Sequence, residues 1–154
     1  MNRSIRNVLL GCLALAFWGP LQAGPAADLI EVRDPYARAV PPGLPNSAAF
    51  LALINNSAVA HALVGAESPV AKVVELHSHT MEGGMMRMRP VERIALPPGE
   101  TVRLEPGGYH VMLIGLLHQL MPGQQVGITL VYEDGSRKEI TAPVRRVGEM
   151  MHHH

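Results

Sequence analysis

Apolar and polar positions alternate over short stretches of this chain, and Pro or Gly interrupts the pattern every few residues. Residues 47–54 read SAAFLALI. The run is too short for most helices and predicts a buried strand. Residues 109–116, YHVMLIGL, put His110, Met112 and Ile114 on one face of a strand and Val111 and Leu113 on the other. Residues 69–78 carry Val70, Val73, Val74 and Leu76 and predict another strand. Glu82-Gly83-Gly84 should turn the chain, and residues 85–91 should return antiparallel. A turn centred on Gly83 and Gly84 sets His79 opposite Met88, with His77 diagonal to it on the same side. Such neighbours lie about 5–8 Å apart.

Short strands are expected at 61–65 and 101–104, and a hairpin at 126–133 and 138–144 around Asp134-Gly135. Pro97-Pro98-Gly99, Pro106-Gly107-Gly108 and Pro122-Gly123 read as turns, and 41–46 as a loop. Proline lacks the amide a strand ladder needs, so Pro35 should break a strand across 28–39 and Pro143 should mark the last strand as an edge. Asn55-Asn56-Ser57 ends its strand like a turn and also fits a glycosylation sequon. Residues 24–27 read as a flexible start. With no convincing helix after residue 23, the pattern implies an all-β sandwich or barrel.

Residues 1–23 change the domain picture. Arg3 and Arg6 precede an apolar run, and small residues near Ala23 offer a cleavage point, the layout of a secretory signal peptide. Leu9-Leu10-Gly11-Cys12 resembles a lipoprotein box, but the apolar run continues beyond Cys12, which favours ordinary cleavage after Ala23. Cleavage removes the only Cys and the only Trp of the 154 residues. The expected organisation is a signal at 1–23, one domain at 24–146 and a Met/His-rich tail at 147–154, with a periplasmic location. Lys and Arg number 13 against 13 Asp and Glu. That balance gives no reason to expect nucleic acid, or a membrane once the signal is gone, as partner.

The candidate chemistry lies in residues 75–116, which hold three of eight His and five of nine Met. His77 and His79, Met86 and Met88, and His110 and Met112 each alternate through one intervening residue, so each pair can aim at one place. Imidazole and thioether together form a soft donor set that suits Cu(I). Taken singly, a Met in an apolar strand is more often core filler, and a lone His a hydrogen-bonded surface group. Met81 and Met85 read as loop residues and Met121 as core; His61 and His118 stand alone.

His77, ten residues, Met88, twenty-one residues, His110, one residue and Met112 together resemble the signature of the periplasmic copper chaperones called PCuAC proteins. The His-x-His, the Gly-Gly before Met-x-Met and Pro-Gly-Gly-Tyr-His-x-Met-Leu agree as well. The resemblance implies a cupredoxin-like Greek-key β-barrel or sandwich. It also implies Cu(I) held by His77, Met88, His110 and Met112, and delivery to acceptors such as Sco-type proteins and cytochrome c oxidase subunits. His79 and Met86 are candidates for supporting those ligands. Some relatives carry a Cu(II)-associated tail, which here would be His152, His153 and His154.

An electron-transfer cupredoxin needs a Cys ligand, and the processed chain would have none. An enzyme is not expected, because no partnered nucleophile or zinc-protease motif is present. A copper-sequestering or resistance protein, or a β-sandwich ligand-binding module with incidental His and Met, remains as the alternative.

Overall fold

Leu-, Val- and Ile-rich runs between Pro and Gly turns fold into strands through most of residues 24–146, the part the computed structural model describes. The expected signal at 1–23 and tail at 147–154 lie outside the described residues. A short helix, α1 (Ala26–Leu29), precedes β1 (Ile30–Arg38), β2 (Asn46–Asn55), β3 (His61–Glu67), β4 (Ala71–Glu82) and β5 (Met85–Pro90). Then follow β6 (Ile94–Leu96), β7 (Thr101–Leu104), β8 (His110–Leu116), β9 (Gln125–Tyr132) and β10 (Arg137–Arg145). The strand order is β5-β4-β8-β2-β1-β10-β9-β3-β6, with β7 also paired to β2. Among the described strand pairs only β1–β10 is parallel.

The order bends into two layers around one core. Leu51, Leu53, Leu76, Val111 and Leu113 supply one side, and Leu63, Ile94, Leu96, Ile128 and Leu130 the other. In β9 every second residue from Val126 to Tyr132 is buried, the period-two signature of a sheet with one face in the core. The all-β expectation holds as an open sandwich.

Several local readings need correction. Pro35 does not end its strand: the register shifts between Arg33 and Tyr36, and Asp34 takes a φ of 49°, so the chain absorbs the proline in a bulge. Pro143 does not mark an edge, because β10 lies between β1 and β9. The Val144 N–H donates to the Gln124 carbonyl of the β9 side, so the adjacent Pro143 nitrogen faces the other way. On that side β1 joins only at Val144 and Arg145, and no ladder bond is lost. Nor is the start of the domain loose. Ala26 and Ala27 are buried, and their N–H groups donate to Asp134 Oδ2 at 2.8 Å and Ser136 Oγ at 2.9 Å. The Ala26 N–H, followed by the Ser136 hydroxyl, lowers the Asp134 carboxyl to about 2.

Asn55 is fully buried. Its Nδ2 donates to the carbonyls of Val59 at 2.7 Å and Leu96 at 2.9 Å, and its Oδ1 accepts from the Ser57 N–H and hydroxyl. In the folded protein the sequon nitrogen is therefore out of reach. Asn55→Ala would leave the buried Leu96 carbonyl without this donor. It is expected to cost about 1–3 kcal/mol, read as a lower denaturant midpoint at unchanged slope.

Candidate metal site

The candidate residues gather on the face of the sheet that the core does not use. In β2, Ala49, Leu51 and Leu53 enter the core, so Ala48 and Phe50 turn to the opposite face. In β8, Val111 and Leu113 go inward and His110 and Met112 go outward. In β4, Leu76 is core, while Glu75, His77 and His79 share the outer face. Ladder register lines these residues up: Ala48 and Glu75 flank Met112, His77 pairs with His110, and His79 pairs with Met88. The hairpin that brings Met88 back turns on Gly83 and Gly84, with φ of 59° and 78°. Two successive positive values are what a type I′ turn requires, and glycine adopts them without strain.

His110 is the fixed point. It is 2% exposed, and its Nδ1 lies 3.1 Å from the Gly108 carbonyl. A carbonyl can only accept, so Nδ1 carries the proton and Nε2 keeps its lone pair. The same carbonyl accepts the His79 N–H at 3.3 Å, tying β4 to the turn before β8. Ring centroids of His79 and His77 lie 5.2 Å and 5.7 Å from that of His110. Phe50 follows at 6.3 Å and Tyr36 beyond it, with the Arg38 guanidinium over the Phe50 ring.

A cavity of about 320 Å³ opens here, walled by His79, Met88, His110 and Met112 together with Phe50, Ala48 and Arg38. His77 is not in its wall. Its Nε2 lies 2.8 Å from Glu75 Oε2, which leaves Nδ1 as its free nitrogen. His77 Nδ1, His79 Nδ1 and His110 Nε2 are all buried without a hydrogen-bond partner. Buried polar atoms are seldom left so, and three beside two thioethers fit a metal pocket. Among the described residues no three His, Cys, Asp or Glu side chains gather closely enough to hold a metal by themselves. A set of three or more side-chain donors here therefore includes sulfur.

Burial pushes the His110 imidazole below its usual 6.5; the Gly108 hydrogen bond opposes this, and His79, His77 and Arg38 reinforce it. Between the lowered folded value and 6.5, the unfolded chain takes up a proton that the folded chain refuses. The stability due to neutral His110 is thus complete above about 6.5 and is lost as pH falls through the folded value. The expected result for the metal-free protein is an imidazole NMR titration for His110 with a midpoint below that of an ordinary histidine.

Of the supporting candidates, His79 reaches the cavity and Met86 does not: it pairs with Met81 two rungs further out and is 61% exposed. Met81 and Met85 belong to strands β4 and β5 rather than to a loop. Met121 is 50% exposed, not core. His61 is structural, its Nδ1 lying 2.6 Å from Glu133 Oε1. His118 is exposed beside the Gln119 carbonyl. The sequence reading missed Arg38, Phe50 and Glu75. Glu75 continues the alternation of His77 and His79, a usable signal. Nothing local announces that β2 would lie beside β8, with β1 beyond it.

Comparison with known proteins places these features in a family. The model of the family described as "Putative lipoprotein LpqE-like" matches residues 30–144. A protein of Leifsonia xyli subsp. xyli, named "Putative lipoprotein Lxx21020", is 32% identical over 92% of this chain and 87% of its own length. The solution structure of CuI-DR1885 from Deinococcus radiodurans is 37% identical, covers 82% of this chain and 89% of that one, and superposes with a TM-score of 0.61. The copper-bound PCuAC domain from PmoF2 is 25% identical and covers 79% and 97% of the two chains, with a TM-score of 0.66. With the family match spanning most of the chain, and that likeness behind it, the chain belongs to the LpqE-like family and is a protein of the PCuAC type.

Proposed function

We propose that this protein is an extracytoplasmic Cu(I) carrier. It binds the ion through His77, Met88, His110 and Met112 and gives it up to copper-requiring proteins. The observation that carries the reading is His110 Nε2, buried and unpartnered in a wall shared with Met88 and Met112. All four donors are neutral, so the bound ion keeps its single charge, and no thiol proton has to leave. Thioethers favour Cu(I) over Zn(II) and cannot be lost to disulfide formation in an oxidising compartment. The open side of the cavity suits hand-over by ligand exchange rather than catalysis. Sco-type proteins and cytochrome c oxidase subunits are the acceptors this reading implies, in the periplasm.

Anaerobic titration against a chromophoric Cu(I) chelator is expected to show one tightly held equivalent, with no comparable uptake of Zn(II). The absence of stoichiometric Cu(I) binding by the folded protein would falsify the assignment. A separate Cu(II) titration tests a Cu(II) role for His152, His153 and His154. Deleting residues 150–154 should lower Cu(II) uptake and leave Cu(I) uptake nearly intact; unchanged Cu(II) uptake rules that role out.

A further inference from the structure

Resting on the Cu(I) reading above, we propose that His79 is a copper donor in its own right. With Met88, His110 and Met112 it completes a second donor set that exchanges with the one containing His77. Four observations point the same way. His79 stands in the cavity wall beside the other three donors, and His77 does not. Its ring is closer to His110, at 5.2 Å against 5.7 Å, and its Nδ1 is buried with nothing to bond. It also lies directly across the ladder from Met88, so imidazole and thioether leave neighbouring strands on one rung.

His77 and His79 therefore compete for one position. Met88, Met112 and His110 are common to both sets, and His110 is locked by Gly108. His77 sits on the inner rung, paired with His110, and is held by Glu75. His79 sits on the outer rung, paired with Met88, which is 52% exposed. In the exchange a bond forms between copper and His79 Nδ1 as the bond to His77 Nδ1 breaks. Both nitrogens act through lone pairs in their neutral tautomers, so no electron or proton is transferred. Copper passes from the rung of His110 to the rung of Met88 while the other three donors stay attached.

The test is an anaerobic ¹⁵N NMR titration of the histidine-labelled protein with Cu(I), together with chelator competition on variants. One equivalent is expected to shift Nδ1 of both His77 and His79 in the unaltered protein, a readout that needs no substitution. His77→Ala should retain one equivalent, weakened by no more than about 100-fold, with the His79 shift enlarged. His77→Ala combined with His79→Ala should retain none. The proposal is overturned if copper leaves His79 Nδ1 unmoved, or if His77→Ala is as damaged as the double variant. An unaltered protein that binds no Cu(I) would instead sink the carrier reading itself.

Discussion

Replacing Met88 and Met112 together by leucine is expected to remove stoichiometric Cu(I) binding and leave the fold intact. Leucine keeps roughly the volume of methionine and deletes only the sulfur. Met88 is about half exposed and Met112 partly so, so little packing is at stake. The remaining donors are imidazoles, and no three such groups among the described residues stand close enough to hold a metal. The loss should exceed the roughly 100-fold that removing a mere supporting group can cause. Competition with a Cu(I) chelator gives the affinity, and circular dichroism of the apo protein checks the fold. Affinity within tenfold of the unaltered protein would show that sulfur is not part of the site.

The second large effect is expected from His110→Ala, which should act on binding and stability together. The imidazole supplies a donor nitrogen whose tautomer the Gly108 carbonyl fixes, and it fills a buried position against Phe50, His77 and His79. Cu(I) affinity should fall by more than about 100-fold, the upper range for supporting groups. Chemical denaturation should show a loss of about 1–3 kcal/mol for the buried hydrogen bond. Binding that survives while stability falls would make His110 a structural residue only. His77→Ala should be milder than either change, because His79 stands two residues along the same strand.

Much of this arrangement was legible before any coordinates, and for a physical reason. Strand periodicity is local, so alternation alone put His110 and Met112 on one face of β8 and His77 and His79 on one face of β4. The Gly83-Gly84 turn fixed the hairpin register, and the expected His79–Met88 pairing holds. What was not legible depends on contacts between distant segments. That β2 lies beside β8 and presents Phe50 and Ala48 to the site is a matter of topology, and the run SAAFLALI looks the same from either face. Pro35 and Pro143 misled because the cost of a missing amide depends on where the neighbouring strand begins. Met121 misled because thioether side chains serve surfaces as readily as cores.

The place of β5 at the margin of the sheet has a consequence for release. It has a neighbour on one side only, β4, and each of its six residues is exposed. The imidazole donors ride on inner strands bonded on both sides, whereas Met88 rides on the strand that can peel first. Local unfolding starts where burial is least, so amide protons of β5 should exchange with deuterium well before those of β8. In the Cu(I) carrier proposed above, a fluctuation that frees one thioether would leave the interior of the protein undisturbed, and the cargo could begin to depart without the molecule coming apart.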